Sequence, residues 1–209
     1  RGMATILLIH GAATTSSVWD RLLPYLDDHD VTAVERPRTG DLVAEVEWLA
    51  PYAENAWVVG VSGGATLGLA LAASSVVMAG AVLHEPAVGS LLPELLAPMR
   101  AAFAAEGTHG FARALYGPTW TPAMAGGFGD DVTARELAMF GAFEPAAVRP
   151  GQGRVVVTVS ADSPPIRHQS VAALADTWGY ETTTLPNGGH FVQQDAPAAF
   201  ADAILHVLR

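Results

Sequence analysis

Three residues of this chain have the types and order that acyl transfer needs. Ser62 stands in Gly60-Val61-Ser62-Gly63-Gly64, Asp162 in Ser160-Ala161-Asp162-Ser163-Pro164, and His190 in Pro186-Asn187-Gly188-Gly189-His190. A serine hydroxyl is a poor nucleophile until a base takes its proton, and the base needs a third group to hold its tautomer. Ser62 is the expected nucleophile, His190 the base that relays the proton, and Asp162 the acid that orients His190. Glu85 is the rival acid, since it follows an apolar run directly after the segment that Ser62 opens. The negative charge formed on an attacked carbonyl oxygen needs two backbone N–H donors. Gly63, the residue after the nucleophile, and Ala12, in His10-Gly11-Ala12-Ala13, are the expected pair. Of the seven histidines, His10 reads as a structural hydrogen-bonding residue, and none of them forms a metal-ligand spacing.

These residues are useful only if the backbone delivers them to one place. The run Trp57 to Val61 reads as a buried strand, and Ala65 to Ala73 as a buried helix. Strand, sharp turn and helix together present a serine at the tip of a strained turn, where Gly60 and Gly64 avoid side-chain collisions. Strain of this kind costs roughly 1–3 kcal/mol and persists only where the surroundings enforce it. Further strands are expected at Ala4–Ile9, Val31–Val34, Ala79–Leu83, Arg154–Val159 and Tyr180–Leu185. A helix capped by Ser16 or Ser17 is expected to carry Val18, Trp19, Leu22, Leu23 and Leu26, with others at Leu42–Ala53, Gln169–Trp178 and Ala196–Leu208. Apolar strands alternating with helices predict an α/β fold whose parallel sheet is covered on both faces. In such sheets ligands sit beyond the carboxyl ends of the strands, where His10-Gly11, Ser62, Asp162 and His190 all fall.

The alternation stops between Pro86 and about Gly153, a stretch rich in Ala, Leu, Phe, Met, Gly and Pro. It is expected to be a helical lid at about 87–152, inserted in a single domain spanning 3–209. Phe103, Phe111, Tyr116, Trp120, Met124, Phe128, Met139, Phe140 and Phe143 give this lid its apolar surface, mostly for its own packing. Arg113 and Arg135 read as solvated. The apolar lid implies an uncharged, mainly apolar substrate.

Composition sets the outer limits. Two hundred and nine residues, half of them apolar, suit one α/β domain with a sizeable core. A net charge of −10 argues against nucleic acid or an anionic membrane as partner. The absence of cysteine excludes disulfides and thiolate metal sites. The apolar stretch Leu67–Leu83 is broken by Ser74-Ser75 and Gly80, and reads as a buried helix and strand rather than a membrane span. Arg1-Gly2 before Met3 reads as a cloning remnant; no signal peptide is expected, and the expected location is cytoplasmic.

His10-Gly11, Gly60-Val61-Ser62-Gly63-Gly64, Asp162 and Gly189-His190-Phe191 together resemble the α/β-hydrolase superfamily, from Thr5 to the C-terminus. The chain is most similar to its small, cofactor-free, esterase-like bacterial members. The resemblance implies a minimal, mostly parallel sheet of about six strands, without the first two strands of the family. It implies a hydrolase acting on a small, mainly apolar carboxylic ester, thioester or lactone through an acyl-enzyme, with no cofactor, no metal and only a small-molecule partner. Self-association as a homodimer stays open. Two departures stand out. The loop Glu35-Arg36-Pro37-Arg38-Thr39-Gly40 is shorter than its family counterpart, and Ser62 and Ala13 replace the aspartate and proline of epoxide hydrolases and dehalogenases. A lyase, cyclase or perhydrolase using the same triad, or a ligand-binding member whose triad is idle, is the alternative.

Overall fold

Residues that are apolar on both sides of a strand must be covered on both sides, and the inner strands of this chain meet that condition. In the computed structural model, which describes residues 2–209, six strands form one sheet. They are β1 (Thr5–Ile9), β2 (Asp30–Val34), β3 (Trp57–Val61), β4 (Gly80–His84), β5 (Arg154–Ser160) and β6 (Glu181–Leu185). The order is β2-β1-β3-β4-β5-β6, and every pairing is parallel. β3 and β4 are buried almost throughout, whereas the outermost strands β2 and β6 are largely solvent-facing. Arg1, half of the expected cloning remnant, lies outside the described residues.

The helices are α1 (Leu42–Ala53), α2 (Gly63–Ala72), α3 (Ala97–Tyr116), α4 (Asp130–Ala142), α5 (Pro165–Trp178), α6 (Val192–Asp195) and α7 (Pro197–Val207). After β2 the chain reverses direction across the sheet and passes β1 to enter β3. With right-handed crossovers, the β1–β2 connection therefore lies on one face and α1 and α2 on the other. Packing agrees: α1 rests on α2, while α7 contacts β6 and the turn at Leu23–Tyr25.

The register aligns the carboxyl ends of the strands. Ile9 pairs with Gly60, Val61 with His84, His84 with Thr158 and Ser160 with Leu185. The residues that follow, His10–Ala13, Ser62, Glu85, Ala161–Ser163 and Pro186–His190, consequently emerge along a single edge. The reversal point between β1 and β3 lies within that edge, the usual place for a ligand in an open α/β sheet.

Two expectations need correction. The helix expected after β1 is instead a pair of short 3-10 turns, Ser16–Trp19 and Leu23–Tyr25, and the residue at the N-cap is Thr15. Pro24 has no N–H to continue an α-helical ladder, although Val18, Trp19, Leu22 and Leu26 are still buried. The helix expected from Gln169 begins earlier, at Pro165, because proline is well suited to the first helical position.

Between β4 and β5 the chain forms no strand, only helical turns, α3 and α4. This segment is fastened to the sheet layer by Arg36, which is buried just after β2. Its Nη1 lies 3.2 Å from Glu45 Oε2 of α1, its Nη2 lies 2.7 Å from Glu136 Oε1 of α4, and its Nε donates to the His10 carbonyl at 2.9 Å. Burial pushes the Glu136 carboxyl up, and the Arg36 charge pulls against it.

Candidate active site

The position expected for the nucleophile lies in a strained turn. Ser62 has φ 60° and ψ −124°, outside helical and sheet geometry, between the end of β3 and the start of α2. A Cβ at Gly60 would collide with the Gly64 backbone, and one at Gly64 would collide with the Ile9 carbonyl. Only glycine allows the turn and β1 to approach so closely. Glu85 is the second strained residue, at φ 48°, directly after β4. Ala13, at φ 54° in the loop after β1, is a third, and non-glycine residues held together at positive φ on one sheet edge mark a site whose geometry is enforced by its surroundings.

Glu85 and His190 form a buried pair. His190 Nδ1 lies 2.7 Å from Glu85 Oε2. The other oxygen, Oε1, accepts from the Ser160 N–H at 3.1 Å and from the Ser163 hydroxyl. Burial alone would push the Glu85 carboxyl up, but the hydrogen bond from His190, the nearby His84 and the Ser163 hydroxyl hold it well below the usual carboxylate range. A carboxylate that only accepts requires the proton on His190 Nδ1. This leaves Nε2 as the basic nitrogen, and it is buried without a hydrogen-bond partner. Burial and the neighbouring Arg167 charge draw His190 down to about 4, against the pull of Glu85.

The backbone that carries His190 is held from both sides. His84 Nε2 lies 2.9 Å from the Gly189 carbonyl, and the Gly189 N–H donates to Ser160 Oγ at 2.9 Å. Because the carbonyl can only accept, His84 carries its proton on Nε2, and its Nδ1 accepts from the Thr158 hydroxyl at 2.9 Å. His10 is structural, as expected: its Nε2 accepts from the Arg36 N–H at 3.2 Å, so its Nδ1–H points to the Gly11 carbonyl at 3.0 Å.

The expected acid must be corrected. Asp162 is exposed, its N–H donates to Ser160 Oγ at 3.3 Å, and its carboxylate makes no hydrogen bond to His190. The reason is topological. β4 lies next to β3, so the first residue after β4 sits one strand from Ser62, whereas Asp162 follows β5, one strand further away. The Ser160–Ser163 turn still contributes to the site, since it supplies the donors that hold Glu85.

Ala12, Ser62, Gly63, Glu85 and Arg167 line a narrow cavity of about 30 Å³ together with Thr66, Ala87 and the apolar residues Leu96, Phe111, Leu115, Leu137 and Phe140. That is room for two or three waters. Among the described residues, neither the Ala12 N–H nor the Gly63 N–H donates a hydrogen bond within the chain. Of the aromatic residues expected to shape the cleft, Phe111 and Phe140 line it, and Phe128 is exposed. Arg113 and Arg135 are exposed, paired with Glu106 and Asp131, and Arg135 also donates to the Arg38 carbonyl at 3.3 Å.

Two residues acquire a place that sequence reasoning did not give them. The Tyr116 hydroxyl donates to the Ala12 carbonyl at 2.6 Å, fixing the loop that faces Ser62. Arg167 is buried in the first turn of α5. Its signal was present in the sequence: Arg167, Ser170, Val171 and Leu174 form the buried stripe of that helix, with a cation at its head. No group of three or more His, Cys, Asp or Glu side chains able to hold a metal occurs among the described residues.

Comparison with known proteins agrees with this fold. The model of the alpha/beta hydrolase family, Abhydrolase_6, matches residues 6–203. No curated protein sequence matches the chain. Among solved structures, the chain is similar to an enol-lactonase from Burkholderia xenovorans LB400 (18% identity, TM-score 0.75, covering 100% of this chain and 92% of that one). It is also similar to a lipase-esterase related protein from Clostridium acetobutylicum ATCC 824 (13% identity, TM-score 0.75, 98% and 94% covered). A third is MenH from S. aureus (12% identity, TM-score 0.75, 100% and 94% covered). At these identities the structural likeness speaks for the fold.

Proposed function

The chain belongs to the alpha/beta hydrolase family, and from that premise we propose that it is a serine hydrolase with Ser62, His190 and Glu85 as its triad. The observation that carries this reading is the Glu85–His190 pair, with a bare Nε2 on the sheet edge where Ser62 is held at positive φ. Ser62 Oγ attacks the carbonyl carbon of an ester, thioester or lactone while Nε2 takes its proton. The C=O pair moves onto oxygen, where the N–H groups of Ala12 and Gly63 receive it. The pair then returns, the C–O or C–S bond breaks, and the leaving group takes the proton from Nε2. Water, deprotonated by the same nitrogen, repeats the attack on the acyl-enzyme and releases the acid and free Ser62. The helical segment between β4 and β5 serves as a lid, its apolar side chains receiving the acyl chain. Donors and acceptors in the free enzyme tighten when substrate binds, which accounts for the unpaired Nε2.

Intact mass after treatment with a fluorophosphonate probe tests this reading. The wild type is expected to gain one adduct that is absent from Ser62→Ala. A folded wild-type protein that gains none, or gains it equally in Ser62→Ala, would refute the assignment.

A further inference from the structure

Among the described residues three arginines are buried, and two of them have several partners. Arg36 lies between Glu45 and Glu136. Arg38 donates to the carbonyls of Arg36 and Thr14, pairs with Glu35, and stacks over the Phe128 ring at 4.0 Å. Arg167 is only 6% exposed, yet among the described residues its guanidinium makes no hydrogen bond and no ion pair. It lines the cavity beside Ser62, Gly63 and Glu85. Glu85 is the carboxylate whose charge acts on it, but both Glu85 oxygens are already engaged, with His190 on one side and Ser160 and Ser163 on the other.

A guanidinium presents up to five N–H donors in a flat fork and keeps its proton inside proteins. Burying one without an acceptor is costly, and such a cost is tolerated where function requires it. The other polar side chains of the lining are Ser62, Thr66, which is hydrogen-bonded to the Ser62 carbonyl and the Ala87 N–H, and Glu85, whose oxygens are taken by His190, Ser160 and Ser163, so Arg167 is the one charged group of the cavity without a protein partner.

We propose that Arg167 is a substrate-recognition residue: the ester, thioester or lactone carries a carboxylate on its acyl side, and the two carboxylate oxygens pair with the Arg167 guanidinium while the acyl carbonyl lies at Ser62. This rests on the serine hydrolase reading and deepens it. It departs from the uncharged substrate expected from the apolar composition of the lid. Leu96, Phe111 and Phe140 line the cavity, which holds only two or three waters in the free enzyme, so these side chains must part for the methylene chain between carbonyl and carboxylate to enter.

The test compares two esters of one shape. In p-nitrophenyl hydrogen glutarate the acyl chain ends in a carboxylate; in p-nitrophenyl 5-methylhexanoate an isopropyl group takes its place. Wild type is expected to favour the glutarate by at least about tenfold in kcat/KM. Arg167→Gln is expected to lose about 10- to 100-fold more on the glutarate than on the neutral ester, the scale of a lost charge-assisted pair. An equal loss on both esters would make Arg167 a positioning residue acting through Glu85 and His190, and would overturn the proposal. So would a wild type that favours the neutral ester or shows no preference.

A second arm needs neither turnover nor an arginine variant. Ser62→Ala protein is titrated calorimetrically with monomethyl glutarate and with methyl 5-methylhexanoate. Saturable binding of the carboxylate alone supports the anion site even if the fluorophosphonate test fails, and equal or absent binding of the two overturns it even if that test succeeds.

Discussion

At the scale of single residues, the exchange of acids has direct consequences. Glu85→Gln preserves shape but removes the charge that fixes the His190 tautomer and stabilises its protonated form. The loss in kcat is expected to be roughly 10²- to 10⁴-fold, the scale seen when a triad acid loses its charge. Asp162→Asn, at an exposed position, should change kcat by less than about threefold, within the small range of a surface change. Steady-state kinetics on one neutral ester separates the two, and a large loss in Asp162→Asn with little in Glu85→Gln would reverse the assignment. The pH profile provides an independent check. His190 faces Glu85, His84, Arg167 and the Tyr116 ring, and burial together with Arg167 lowers it to about 4. Its neutral form is the base, so kcat/KM should hold as pH falls below the ordinary histidine value and decline only near 4. Linkage has the same sign. Between the ordinary value and about 4 the unfolded chain binds a proton that the folded one excludes, so this residue's share of stability is complete at neutral pH and drains away as pH falls through that window. Because the Arg167 charge is one cause of the depression, Arg167→Gln should move the acid limb upward; a limb already at the ordinary histidine value in the wild type would contradict the environment described.

At the scale of elements, the inner strands were legible because each is a short apolar run bounded by turn residues, and the outer two because they are rich in β-branched residues; the Arg154–Ser160 strand ends within a residue of its expected limit. The segment after β1 was not, since the apolar spacing of Val18, Trp19, Leu22 and Leu26 serves 3-10 turns as well as a helix. The break inside α3 was also hidden. Gly107 at φ 61° interrupts that helix, and Asp130 at the start of α4 accepts from the Thr108 N–H at 2.9 Å and hydroxyl at 2.8 Å, closing the second half across space. A cap supplied from twenty-two residues away leaves no local signature. Arg36 does similar work between layers, and its removal is predictable. Arg36→Met would leave Glu45 and Glu136 buried without their counter-charge, a change that typically costs about 3–5 kcal/mol. Glu136 is raised in the folded state, so its contribution is complete at low pH and lost as pH rises. Urea unfolding should therefore show a deficit for Arg36→Met that is larger at about pH 8 than at about pH 5, and a deficit independent of pH would rule out the carboxylates as its source.

At the scale of the whole molecule, the site was legible to the extent that it depends on local backbone chemistry. Ser62 and the Gly-rich turn before His190 carry their own punctuation, whereas the choice between Glu85 and Asp162 depends on which strand lies beside β3, and strand order is not written in any local stretch. Charge is the other property that exists only at this scale. The chain carries a net charge of −10, while the cavity contains the single unpaired cation described above. The two act over different distances. The overall field repels an approaching anion through water and is screened by salt, with a Debye length of about 10 Å at 0.1 M and about 3 Å at 1 M. Arg167 is buried and meets the substrate only on contact, where mobile ions do little. Raising NaCl from about 0.02 to about 0.5 M should therefore increase kcat/KM for p-nitrophenyl hydrogen glutarate severalfold under conditions where capture limits the rate, and leave the neutral 5-methylhexanoate nearly flat. The same rise should survive in Arg167→Gln on a much lower baseline, because it comes from the field of the whole protein and not from that side chain. If salt instead lowers the glutarate rate in the wild type, attraction outweighs repulsion along the approach, and the cation that guides the substrate must lie at the surface rather than in the cavity.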